Sequence, residues 1–242
     1  MRVLLISDIH SNWVALSAIQ EQFDLCLCLG DLVDYGLAPV PVVDWVMTHA
    51  QVTVRGNHDH AVAQRVPARP GSGFRELACL TRPQHWELLQ NRQLKYLSRL
   101  PLTSTLEIDG LRYYLVHASP RDPLDEYVLD GEAGWRQRVE GIEADLICVG
   151  HTHVQSLLDL GSMRVLNPGS VGQPRDLDPR AAYAIIDNGK IELRRVEYDI
   201  EAALQQMEQA GANPRALQIA REALTSGGVL TSPRGLNNGE TP

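Results

Sequence analysis

Arg2-Val3-Leu4-Leu5-Ile6-Ser7-Asp8-Ile9-His10 is the stretch on which the fold turns. Its apolar run, Val3 to Ile6, has no polar interruption, which predicts a strand (Arg2 to Ile6) buried on both faces, as inside a parallel sheet. The run stops at Ser7-Asp8, and Ser11 or Asn12 then caps a helix with Trp13, Leu16 and Ile19 at helical spacing. The same grammar recurs downstream. Leu25 to Leu29 is a strand ending in Gly30-Asp31, and Pro39 or Pro41 opens a helix through Val43, Trp45, Val46 and Met47. Gln51 to Val54 is a third strand, ending in Gly56-Asn57-His58-Asp59. Strand and helix alternate, so the first half reads as βαβ units on a parallel sheet.

Further along the pattern changes. Val66 to Gly73 carries two prolines and two glycines and reads as a loop, and Pro83 to Leu100 as helix. Asp109-Gly110, Gly161-Ser162 and Asn188-Gly189 each stand between strand-like runs, and such dipeptides are strong hairpin signals. Ala144 to Val149 is a further strand, running into Gly150-His151. The second half is therefore expected to be largely antiparallel. Ile200 to Ala210 and Arg215 to Thr225 read as terminal helices, and 226–242 as a disordered tail. The expected organisation is a domain over 1–198, helices over 199–225 packed on it, and the tail.

The composition bounds what such a chain does. It has 242 residues, 44% hydrophobic and 21% charged, enough for a sizeable core and wrong for disorder. No apolar run reaches the roughly eighteen residues of a membrane span, and the first strand is too short for a signal peptide. Four cysteines form no C-x-x-C pair, which argues against a disulfide framework or thiolate metal site and for a reducing, cytoplasmic setting. A net charge of −8 argues against a nucleic-acid-binding surface.

The chemistry collects where strands end. Asp8, His10, Asp31, Asn57, His58, His117, His151 and His153 all directly follow apolar runs, and ligand sites in open α/β sheets form beyond the carboxyl ends of strands. Five of the eight histidines belong to this set. Asp8 and His10 are two apart, so on an extended chain their side chains point the same way, and His151 and His153 repeat that spacing. Asp31 has two oxygens with which to bridge two ions, and Asn57 offers a neutral carbonyl oxygen. The mixed nitrogen and oxygen set suits Mn, Fe, Zn, Co or Ni and is too rich in imidazole for Mg or Ca alone. Two ions about 3.5–4 Å apart are the usual device for cleaving phosphate esters. Each block alone has an ordinary reading as a turn or a core histidine; it is their joint order that points to a metal site.

That order, Asp8-x-His10, Gly30-Asp31-x-x-Asp34, Gly56-Asn57-His58-Asp59, His117 and Gly150-His151-x-His153, resembles the calcineurin-like metallophosphoesterase superfamily. The stretch Asn167-Pro168-Gly169-Ser170-Val171-Gly172-Gln173-Pro174-Arg175 is similar to its compact bacterial phosphodiesterase branch. The resemblance covers roughly residues 1 to 198. It implies an α/β (α+β) fold, a four-layer αββα sandwich of two mixed β-sheets flanked by helices. It implies one metal on Asp8, His10, Asp31 and His153, a second on Asp31, Asn57, His117 and His151, and two divalent transition ions, manganese first.

The implied reaction is in-line attack of a metal-bridging hydroxide on a small phosphate ester, a nucleotide among the candidates. His58 is the expected general acid and Asp59 the residue that orients it, while Asn57 and Arg175 contact the phosphate. Asp34 reads either as a hydrogen-bonding support for the site or as a plain turn carboxylate. Tyr35 stands where the superfamily's protein phosphatases carry a phosphate-gripping arginine, which disfavours a phosphoprotein substrate; Arg55, before Gly-Asn-His, keeps that reading open. Arg121 and Arg175 lie in loops after site strands and read either as phosphate contacts or as solvated surface residues. A non-catalytic scaffold of this fold is the remaining alternative, against which all the donors and His58 are retained. Oligomeric state is left open.

Overall fold

The computed structural model describes residues 1–128 and 130–230. Its first half contains β1 (Arg2–Ile6), α1 (Trp13–Ser17), β2 (Leu25–Cys28), α2 (Pro39–His49), β3 (Val52–Thr53), α3 (Asn57–Ala63), α4 (Phe74–Leu88) and α5 (Asn91–Arg99). There follow β4 (Thr103–Ile108), β5 (Leu111–Val116), α6 (Gly131–Arg138), β6 (Leu146–Cys148), β7 (Ser156–Asp159), β8 (Arg164–Asn167), β9 (Ala181–Asp187) and β10 (Lys190–Val196). Two helices end the described chain, α7 (Ile200–Gln209) and α8 (Pro214–Ser226).

The strands form two five-stranded mixed sheets, in the orders β10-β9-β1-β2-β3 and β4-β5-β6-β8-β7. Alternation along β1 explains their stacking. Val3 and Leu5 pack with Tyr113, Leu115, Leu146, Cys148 and Leu166 of the second sheet, while Leu4 and Ile6 face Leu16, Val42, Val43 and Val46 of α1 and α2. On the far side, Ile147 and Val165 pack against Trp135 and Val139 at α6. An uninterrupted apolar strand is thus satisfied on both faces, and the layers run helix, sheet, sheet, helix, as expected.

Two expectations need correction and one needs refining. The second half is largely antiparallel, through β4–β5, β7–β8, β9–β10 and β9–β1, but the centre of the second sheet is not: β5, β6 and β8 run parallel, with β4 and β7 as antiparallel edges. All three hairpins form, but a hairpin signal fixes only which strands share a turn. It does not show that β5 crosses over through α6 before β6. The single helix over Pro83 to Leu100 is instead α4 and α5, with Pro83 inside α4. A proline weakens a helix interior; α4 continues through it because Leu77, Ala78, Thr81, Arg82 and His85 are buried on either side. Gln93 Oε1 accepts the Gln90 N–H at 3.1 Å and starts α5 afresh. Finally, residues 226–230 of the expected tail are docked. The Gly227 carbonyl accepts from Leu177 N at 3.0 Å, and Leu230 packs in the α4–α8 cluster. The rest of that tail, 231–242, lies outside the described residues.

α7 and α8 pack on the same chain. Leu204, Met207, Ala216, Ile219, Ala220 and Leu224 meet Leu77 and Ala78 of α4, with Tyr35 and Leu37 from the loop after β2.

Candidate metal centre

The donors arrive on the loops that leave β1, β2, β5 and β6, and on the first turn of α3. The expected extended geometry is not how they converge. Asp8, His10, Asp31, His151 and His153 have φ of +53°, +48°, +54°, +66° and +60°, in the left-handed region that L residues disfavour. The backbone is pinned there by neighbouring loops: His10 N donates to Asp31 O at 3.0 Å, Ser11 N to Leu32 O at 2.8 Å, and Gly172 N to Asp8 O at 3.0 Å. Two glycines allow the close approach. A Cβ at Gly172 would stand 1.8 Å from the Ile9 carbonyl oxygen, and one at Gly56 would stand 2.0 Å from Asp31 Oδ1. Strain concentrated at such loops persists only where surrounding structure over-determines it.

The donors fall into two buried groups, Asp8, His10 and His153, and Asp31, His117 and His151, the ligand atoms of each group lying within 4.8 Å of one another. His10 Nδ1 donates to the Val33 carbonyl at 2.9 Å and His153 Nδ1 to that of Gln173 at 2.6 Å. Each neutral ring therefore presents a lone pair at Nε2, and these two Nε2 atoms face each other at 3.1 Å. Asp8 Oδ1 lies 3.3 Å from His153 Nε2, and Asp31 Oδ2 lies 3.8 Å from His10 Nε2. In the other group His117 Nδ1 donates to the Leu29 carbonyl at 2.8 Å, which turns Nε2 toward Asp31 Oδ2 and Asn57 Oδ1, both at 3.2 Å. Asp8 Oδ1 and His151 Nε2 are buried with no hydrogen-bond partner. Buried acceptors aimed at one another are costly unless a cation stands between them. The residues present fit a pair of divalent ions.

The electrostatics agree. Burial pushes His10 and His151 down to about 3 and His153 well below its usual value, so all three are neutral donors of lone pairs. Burial lifts Asp8 to about 6. For His117 burial acts downward, but the Asp31 carboxylate outweighs it and raises the ring to about 10.

Beside this centre stands His58, whose Nδ1 lies 2.6 Å from Asp34 Oδ2 and whose Nε2 lies 3.2 Å from the Tyr35 hydroxyl. This corrects the sequence expectation for Asp59. Both Asp59 oxygens are engaged by backbone N–H groups, those of Asp31 and Leu32 at 2.8 Å and of Gly56 at 3.1 Å. Asp59 ties the β2 loop to the start of α3, and the carboxylate on the His58 ring belongs to Asp34. Arg82 also holds Asp34, donating to Oδ2 from Nε at 2.8 Å and Nη2 at 2.5 Å. Arg82 was not expected at the site, and Tyr35 was expected only as the residue in place of a phosphate-gripping arginine, not as a partner of His58. Tyr35 directly follows a motif block, but Arg82 carries no local signal.

Of the candidate arginines, Arg175 reaches the rim, donating to the Tyr35 hydroxyl at 3.3 Å and Gln173 Oε1 at 3.1 Å with its guanidinium 4.0 Å from the Phe74 ring centroid. Arg55 turns away to the Ser98 carbonyl at 2.7 Å, and Arg121 pairs with Glu126. Tyr127, from the loop after β5, packs against the His151 ring at 4.1 Å.

The sequence pattern of the calcineurin-like phosphoesterase superfamily domain matches residues 1–190. The chain belongs to this superfamily. This metallophosphoesterase is 33% identical over 232 residues to the uncharacterized protein MJ0912 of Methanocaldococcus jannaschii, covering 85% of this chain and 91% of that one. It is 25% identical over 203 residues to phosphodiesterase YfcE of Escherichia coli, covering 78% and 88%. Among solved structures, a metallophosphoesterase from Sphaerobacter thermophilus superposes with a TM-score of 0.77 at 33% identity, over 94% of this chain and 99% of that one. The metallophosphoesterase has no helix among its described residues long and apolar enough to cross a membrane.

Proposed function

We propose that the protein is a phosphodiesterase of small phosphate esters that works with two divalent ions, manganese first. The observation that carries this reading is the pair of opposed lone pairs on His10 and His153, 3.1 Å apart, beside the unpartnered Asp8 Oδ1. One ion would be held by Asp8, His10, Asp31 and His153, the other by Asp31, Asn57, His117 and His151. Bound there, such ions supply Lewis acidity toward the phosphoryl oxygens and lower the pKa of water.

The chain's own residues do the rest. Asn57 and Arg175 orient the phosphoryl group, and an Arg175 guanidinium stacked on Phe74 is held ready for an anion. His58 holds a proton at Nε2 for the leaving oxygen, and Asp34 fixes the ring through Nδ1. For His58, burial acts downward but is outweighed by Asp31 and Asp34, so its pKa is raised and the protonated form is favoured. Arg55 bonds to Ser98 O, and Tyr35 stands where a phosphate-gripping arginine would be, so the small-ester reading is preferred over a phosphoprotein substrate.

The test is hydrolysis of bis-p-nitrophenyl phosphate against p-nitrophenyl phosphate with Mn²⁺, before and after a chelator. Chelation is expected to abolish turnover and Mn²⁺ to restore it, with the diester preferred. Turnover of neither ester with Mn, Fe, Zn, Co or Ni would favour a scaffold.

A further inference from the structure

α4 contributes nothing to the motif blocks, yet it sends two buried side chains into the loop after β2. Arg82 and His85 stand three apart, on one helix face. His85 Nε2 donates to the Gly36 carbonyl at 2.9 Å. Arg82, only 7% exposed, donates from Nε and Nη2 to Asp34 Oδ2 and from Nη1 to the Val66 carbonyl at 3.1 Å. The oxygen it grips is the one that accepts His58 Nδ1–H.

The loop needs such a splint. Asp34 and Tyr35 have φ of +67° and +63°, so two consecutive residues sit in a region that costs free energy unless contacts hold them. Asp34 Oδ1 is buried without a partner, so nothing on that side of the carboxylate fixes its rotation. A guanidinium is always charged and presents its donors as a rigid planar fork, which suits it to hold a carboxylate in one orientation.

We propose that Arg82 is a positioning residue for proton transfer. It fixes Asp34, through Asp34 the ring of His58, and so the direction in which Nε2 meets the leaving oxygen. This rests on the reading of His58 as the acid. The competing account is that Arg82 and Asp34 are a buried pair that only stabilises the fold.

The experiment compares wild type, His58→Ala, Arg82→Lys and Arg82→Met, loaded with Mn²⁺, on bis-p-nitrophenyl phosphate and on diphenyl phosphate, whose leaving group needs more protonation. His58→Ala should lose roughly 10²–10⁴ on diphenyl phosphate and far less on the nitrophenyl ester. Arg82→Met should show the same selectivity, at least about tenfold on diphenyl phosphate, since a misplacement of about an ångström costs on the order of 10². Arg82→Lys should recover part of it. Independently of turnover, the His58 Nδ1–H proton resonance of the metal-free protein, assigned by its absence in His58→Ala, should persist in Arg82→Lys and be lost to exchange in Arg82→Met. Equal losses on both esters in Arg82→Met, or an unchanged resonance, would overturn the role of Arg82. Equal losses in His58→Ala would overturn the acid reading itself, whatever Arg82 does. If Arg82→Met does not fold, Arg82→Lys decides by the ester comparison alone: a loss larger on diphenyl phosphate than on the nitrophenyl ester supports the role, and equal losses or none overturn it.

Discussion

Asp34 and Asp59 flank the same histidine and do opposite jobs. Asp34 holds the His58 ring, while Asp59 accepts three backbone N–H groups and closes the start of α3 onto the β2 loop. Asp59→Ala should therefore act on stability. A buried donor left unpaired costs about 1–3 kcal/mol, so losing the shared acceptor should lower the unfolding free energy by several kcal/mol, read as a fall in the urea midpoint. His58→Ala, measured alongside, should keep both its midpoint and its metal content. An Asp59→Ala protein as stable as wild type would contradict this division. The metal donors were legible in the sequence because each is a polar residue placed where an apolar strand stops. Which carboxylate meets His58 was not. Asp59 is its sequence neighbour, but the first turn of α3 aims Asp59 at the backbone, and the partner comes from a loop far away in sequence. Arg82 was invisible for the same reason: a helical arginine carries no mark of what it faces.

At the scale of elements, the strands of the first sheet were readable from uninterrupted apolar runs, and the hairpins from Asp-Gly, Gly-Ser and Asn-Gly. The parallel core of the second sheet was not, because its β5-to-β6 crossover runs through α6. That helix, with Gly131 and Gly134 and only Gly134 and Trp135 buried, lacks the periodic apolar face a sequence reading needs. The loops that gather the donors were misread as extended; the left-handed conformations arise from contacts between loops, not from local propensity. Gly172 tests this. Gly172→Ala would drive a Cβ into the Ile9 carbonyl, between Asp8 and His10, and should weaken metal binding at the Asp8–His10–His153 group well before it unfolds the sheets. Calorimetric Mn²⁺ titration and far-ultraviolet circular dichroism on the same sample would show it. An alanine variant with unaltered Mn²⁺ affinity would mean that this loop does not set the donors.

For the whole molecule, two cores face the first sheet, one beneath its helices and one between the sheets, and α7 and α8 add a third that reaches the loop bearing Tyr35. The superfamily match ends at residue 190, yet these helices share a packed cluster with α4. Ile219→Ala is expected to cost about 2–5 kcal/mol, the usual range for emptying a filled core position, read as a drop in denaturant midpoint. A loss below half a kcal/mol would mean the helices are only loosely attached. The three strand cysteines, Cys26, Cys28 and Cys148, are buried and their thiols pushed upward by burial, Cys26 to about 12, whereas Cys79 is partly exposed. A thiol reagent should thus find one fast site in the folded protein and four in denaturant.

The central claim is that distant loops bring their donors around two adjacent cations with Asp31 between them. Metal content settles it most directly: elemental analysis of protein reconstituted with Mn²⁺ and dialysed, for wild type, Asp31→Ala and Asp8→Ala. Two ions per chain are predicted for the wild type, with both lost in Asp31→Ala and one retained in Asp8→Ala. A wild type that retains no transition ion, or an Asp31→Ala protein that still holds two, would contradict it.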